Sequence, residues 1–134
     1  MKQFLLALLA VVFFVSCDDD DDVAYHFEYV PVLEAEVPDE FEFGRLYELI
    51  VTYELPNACY DIYSYDYIYE GTSRIIAPIA IVDDSVDGCA EITTEGTFTV
   101  RVEALQSENY LFKFWQGEDD QGEPIYLEIE VPVI

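Results

Sequence analysis

The chain has 134 residues, and charge is its first constraint: 29 Asp and Glu stand against five Lys and Arg, a formal charge of −24. Nucleic acid and bare anionic membrane are poor partners for such a chain, since both repel it. A composition 52% hydrophobic and 16% aromatic excludes the disorder that such charge often brings, and the length leaves room for one domain with a real core.

The N-terminus carries Lys2 and then an apolar run from Phe4 to Val15. A membrane-spanning helix needs roughly 20 apolar residues, so this shorter run fits the hydrophobic centre of a signal peptide over 1–16. Where the run ends, Phe14-Val15-Ser16-Cys17 resembles the lipobox of bacterial lipoprotein precursors, with a phenylalanine where leucine is usual. The resemblance implies cleavage before Cys17 and a lipid on Cys17 as the membrane anchor. Five carboxylates, Asp18 to Asp22, come next. Such a block repels itself and stays extended, so 17–23 forms a tether that holds the downstream domain roughly 15 to 20 Å off the lipid at up to about 3.4 Å per residue. It is similar to the acidic signal that routes flavobacterial lipoproteins to the outer face of the outer membrane, which implies cell-surface display, the periplasmic face being the alternative. The mature chain keeps four cations, Arg45, Arg74, Arg101 and Lys113, against all 29 acids, or −25.

From residue 24 to 134 the hydrophobic period predicts seven strands and no helix, near 24–33, 45–55, 59–69, 73–83, 96–104, 109–116 and 124–133. The fifth is the clearest, with Phe98, Val100, Val102 and Ala104 alternating with Thr97, Thr99, Arg101 and Glu103. Turn residues separate the strands at Pro56-Asn57, Glu70-Gly71-Thr72, Asp83 to Gly88 and Gly117 to Glu123. Pro31, Pro78 and Pro132 each forfeit a ladder hydrogen bond and so mark edges or bulges. Seven short strands in one domain predict an all-β, immunoglobulin-like antiparallel β-sandwich. Cys59-Tyr60, Arg74 with Ala77-Pro78-Ile79-Ala80, and Phe112-Lys113-Phe114-Trp115-Gln116-Gly117 are similar to patterns in small flavobacterial surface lipoproteins; this resemblance implies a fold and a location but supplies no site.

Export past the cytoplasm places Cys59 and Cys89 where disulfides persist, and a hairpin turned at Gly71 brings both to one end of strands three and four. With Cys17 lipidated, a Cys59–Cys89 bond is expected to clip that hairpin shut. Two cysteines and a single histidine, His26, do not make a structural zinc site, so His26 is expected to be an ordinary buried or surface residue.

Three groups of residues could carry binding. Tyr63, Tyr65, Tyr67 and Tyr69 fall at period two and so share a strand face, either as an exposed stacking ladder or, as Cys59 at the same parity favours, as core. Folding the last hairpin about Asp120 and Gln121 sets Trp115 opposite Tyr126, with Lys113 and Arg101 near, an arrangement that suits a sugar or an acidic protein partner, or simply a cross-strand pair supporting the hairpin. Asp83, Ser85 and Asp87 space oxygen ligands before Gly88 like the start of a calcium loop, but Thr94 stands where a bidentate glutamate is needed. The expectation there is a solvated turn, with calcium no tighter than about 10⁻⁴ to 10⁻³ M and no other cofactor. Asp84-Ser85-Val86 also resembles a bacterial O-glycosylation sequon, which makes Ser85 a candidate.

Nucleophilic catalysis finds little to work with: one histidine, a paired set of cysteines, and serines in no recognisable motif. Glycoside hydrolysis needs two opposed carboxylates in a deep cleft, which a small sandwich seldom provides. The sequence therefore predicts a non-enzymatic binding or interaction module for a glycan or protein, with a structural accessory of an outer-membrane assembly as the alternative.

Overall fold

The structure is a computed structural model that describes residues 24–134. The expected signal peptide, the lipidation site Cys17 and the acidic tether lie outside the described residues.

Eight strands form two sheets. They are β1 Tyr25–Tyr29, β2 Val32–Glu36, β3 Leu46–Leu55, β4 Tyr60–Glu70, β5 Ser73–Asp83, β6 Thr94–Glu103, β7 Tyr110–Glu118 and β8 Pro124–Val131. β2, β3 and β6 make the three-stranded sheet, and the other five strands make its larger partner. Every predicted strand is present; the count rises to eight because the first one splits. Pro31 lacks an N–H and cannot continue the ladder, so β1 ends in one sheet and β2 begins in the other. Val30 still donates to the Pro78 carbonyl of the first sheet (3.0 Å), while the Pro31 carbonyl accepts from Glu54 of the second (3.1 Å).

β5 organises the large sheet. One of its edges carries β4 along nearly its whole length. Its other edge is shared: residues 73–76 pair in parallel with β7, and 79–83 pair antiparallel with β1. Pro78 sits at the changeover, where a missing N–H costs the ladder little. Of the edge or bulge expected at Pro78, the edge is corrected by its place in a central strand, at this gap between two partners, while the β4–β5 register does shift beside it, opposite Ile79 and Ala80. The parallel β5–β7 pairing departs from the wholly antiparallel sheets of immunoglobulin domains. A second feature is similar to those domains: the Tyr110 hydroxyl, at the start of β7, accepts from the Leu105 and Gln106 N–H groups (3.2 and 3.4 Å), much as a tyrosine corner ties the connection before it.

Alternation along the strands fills the core. Val100 and Val102 of β6 meet Tyr110, Phe112 and Phe114 of β7, all buried. Burying a side chain as large as Phe112 contributes roughly 1.5 to 3 kcal/mol relative to leaving it exposed. Phe41, from the connection between β2 and β3, is fully buried as well. It stacks on Tyr47 and meets Tyr110 and Phe112 edge-on. At the other end of the sandwich Cys59 and Cys89 form the expected disulfide, with Cα atoms 5.6 Å apart. Flanking backbone bonds from Ala58 to Ala90 (3.0 Å) and from Asp83 to Cys59 (2.9 Å) hold the same end together.

Candidate functional site

The outer face of the five-stranded sheet is the most unusual surface of the domain. On β1, Tyr25, Phe27 and Tyr29 point away from the core, at 47, 48 and 44% exposure. Their strand partners Ile79 and Ile81 on β5 share that face. β7 contributes Leu111, Lys113 and Trp115, whose parity is opposite to the buried Phe112 and Phe114. β8 adds Tyr126, directly opposite Trp115 in the ladder as the sequence predicts.

β4 brings one more aromatic through an irregularity. The register between β4 and β5 shifts between Ile62 and Ser64, and a bulge turns side chains that strict alternation would keep together. Tyr63 therefore faces outward, 64% exposed, and packs on Phe27 with ring centroids 4.7 Å apart. Tyr65 and Tyr67 face inward and pack against the core. Tyr69 lies over the Arg74 guanidinium. The four tyrosines thus do not share one face, and the bulge is the physical reason.

Rings pair across the face: Tyr25 with Phe27 (5.6 Å) and Tyr29 with Trp115 (5.4 Å). Two shallow depressions flank Tyr29. One, of about 280 Å³, is lined by Phe27, Glu28, Tyr29, Asp66 and Ile79, and the other, of about 370 Å³, by Glu28, Tyr29, Trp115 and Glu118. Each combines aromatic wall with carboxylate. The Tyr29 hydroxyl donates to Asp66, which raises the Tyr29 phenol above its ordinary value, with burial adding to the effect. Tyr60, bonded to Glu28, is pushed up to about 12 by that hydrogen bond first and burial second. Both phenols stay protonated across physiological pH; Tyr29 fixes Asp66 beside the aromatic face, while Tyr60 fixes Glu28 on the opposite side of β1.

The cations expected near Trp115 do not form a positive site. Lys113 is on this face, 5.2 Å from the Tyr126 ring, but its ammonium bonds Glu70 at 3.1 Å, which raises its pKa. Arg101 belongs to β6 in the other sheet, on the face away from the core, where it pairs with Glu48 (3.3 Å). Its proximity to Trp115 is corrected: the two lie on opposite outer faces of the sandwich.

The acidic loop after β5 is committed to internal bonds. Asp83 accepts from the Ser85 N–H (2.9 Å) and hydroxyl (2.5 Å), which lowers its pKa. Asp84 binds His26 at 2.7 Å, and the exposed imidazole also meets Glu28 at 3.4 Å. Asp87 and Ser85 are exposed in the same loop. Among the described residues no three His, Cys, Asp or Glu side chains converge as metal ligands.

Sequence reasoning gave β1 no role in binding, although Tyr25, Phe27 and Tyr29 at period two were a visible signal. What it lacked was the sheet order that puts β1 in line with β7 and so Tyr29 against Trp115. Comparison with protein-family models, with curated proteins and with solved structures found no match.

Proposed function

We propose that the chain is a small binding module, lipid-anchored through Cys17 at the outer membrane and displayed on the cell surface, that recognises neutral glycan chains through the outer face of its five-stranded sheet. The observation that carries this reading is the pair of shallow depressions on either side of Tyr29, each of a size suited to a sugar ring and each walled by an aromatic ring and a carboxylate. Aromatic faces suit the C–H faces of pyranose rings, while Asp66 and Glu118 offer acceptors to hydroxyls. Acids on the flanking strands, Asp66 on β4 and Glu128 and Glu130 on β8, together with the mature charge of −25, select against anionic chains. Shallow, open depressions suit binding better than catalysis, which calls for enclosure.

Isothermal titration of the mature protein with neutral sugars of one to six residues tests this. Binding that strengthens from one sugar residue to two and weakens at least tenfold in Trp115→Ala and Tyr29→Ala is the expected result. Affinity that ignores both substitutions, or no binding to any neutral glycan, removes the reading. Stoichiometric recovery of one envelope protein by the wild type, lost in the same variants, would favour the structural-accessory role instead.

A further inference from the structure

A second site lies on the open side of the sandwich, between the edges of β4 and β6, and does not depend on the aromatic face. There a groove of about 650 Å³ is walled by Tyr65, Tyr67, Tyr69, Arg74, Gln106 and Tyr110, among others. Arg74 is its unusual member. It is only 6% exposed, the sole charged residue buried to that degree among the described residues. Arg45, Arg101 and Lys113 each pair with a carboxylate; Arg74 has none within ion-pair distance among the described residues.

Neutral groups hold the guanidinium instead. Nη1 donates to the Gly71 and Ser73 carbonyls (3.0 and 2.9 Å) and Nη2 to Gln106 Oε1 (2.8 Å). The Tyr69 ring covers it at 4.1 Å and the Tyr110 ring lies 5.1 Å away. Nε is buried and has no acceptor. Buried charges are normally paired, because an unpaired one forfeits its hydration without recompense. A preorganised, half-satisfied guanidinium in a tyrosine-walled groove is what recognition of a planar anion requires. Tyr69 is 71% exposed, so the ring that covers the guanidinium stands at the solvent side of the groove.

We propose that this groove binds a carboxylated sugar residue, a hexuronate, with its carboxylate on Arg74 and its ring against the tyrosine wall. The groove has the size for one such ring, the Tyr65 and Tyr69 hydroxyls supply partners for its hydroxyls, and the guanidinium, oriented by Gln106, selects the acid over the neutral sugar.

The test is NMR titration of the mature protein with D-glucuronate, D-glucose and acetate. Glucuronate should saturate shifts around Tyr65, Tyr67, Tyr69 and Tyr110 with a Kd of order 1 mM, the range for a ligand of this size. Glucose and acetate should bind at least tenfold more weakly, and Arg74→Gln should lose at least tenfold in glucuronate affinity. Should Arg74→Gln fail to fold, Tyr69→Ala, at an exposed position, decides: glucuronate affinity falls severalfold if the ring wall contributes. No saturable glucuronate shifts, equal binding of acetate or glucose, or unchanged affinity in either folded variant would overturn the proposal.

Discussion

Replacing Cys59 and Cys89 together with serine should lower stability by a calculable amount while leaving the native structure in place. The bond closes a segment with a sequence separation of 30. In the chain-entropy treatment such a loop restricts the unfolded chain by about 12 cal/mol/K, or about 3.6 kcal/mol at 25 °C. The Ala58–Ala90 and Asp83–Cys59 backbone bonds persist without the sulfurs, so the folded state changes little and the loss should fall between roughly 2 and 4 kcal/mol. A domain of roughly 110 residues has an unfolding entropy of about 0.23 kcal/mol/K, which converts that loss into a fall in Tm of about 9 to 17 °C. Urea unfolding followed by near-ultraviolet circular dichroism supplies the second measurement. The m-value should rise, since the unfolded chain gains surface once the loop opens. A fall in Tm below about 4 °C, or a lost native near-ultraviolet signal before any denaturant is added, would refute the argument that the bond acts on the unfolded chain.

Two further tests bear on the core and on β1. Gly96 faces Tyr53 across β3 and β6, and a Cβ there would stand 2.5 Å from the Tyr53 ring carbon Cζ; Gly96→Ala should cost about 1 to 3 kcal/mol by overpacking in chemical denaturation, partly relieved when combined with Tyr53→Phe. His26 has its pKa raised chiefly by its hydrogen bond to Asp84. A raised folded value means the imidazolium pairing stabilises fully below the ordinary value of 6.5 and is lost as pH rises through the higher folded value; NMR titration should give a midpoint above 6.5 that returns toward it in Asp84→Asn, and an unchanged midpoint in that variant would show that Asp84 is not the cause.

The all-β class, the strand positions and the disulfide were legible because each depends on local signals: alternation in Phe98 to Ala104, turn residues at Gly71, and two cysteines left for each other. The pairing of Trp115 with Tyr126 was expected from a turn about Asp120 and Gln121; the turn centres on Gln121, with Glu118 opposite Pro124, and the bulge between Trp115 and Gly117 supplies the one-residue offset that brings the expected pair together. Phe41 was not, because a core residue in a connection has no period to announce it. The separation of Tyr63 from Tyr65 and Tyr67 was hidden by a bulge, which breaks the alternation that makes a strand readable. Arg101 was misplaced and β1 overlooked for one reason: which sheet a strand joins is a long-range decision, taken for β6 by its pairing with β3 and for β1 at the break at Pro31. The lone buried charge of Arg74 was out of reach because burial of one arginine among three depends on how two sheet edges meet.

The course of β1 has a mechanical consequence. This strand carries Tyr25, Phe27 and Tyr29, and it is the first element after the segment proposed to lead to the lipid. With ligand held on those rings and lipid on Cys17, tension between cell and target would enter the domain at Ala24 and run along β1. It would load the β1–β5 hydrogen bonds in shear, side by side, instead of peeling them one at a time. At the point of entry the Ala24 carbonyl is held by the Asp84 N–H (2.8 Å), on the loop that the Cys59–Cys89 bond ties back to β4. Resistance to forced unfolding is a matter of rate and not of equilibrium stability, and this route sends force along one strand and its covalently braced neighbour while the packed centre, around Phe112 and Phe114, stays out of the line of pull.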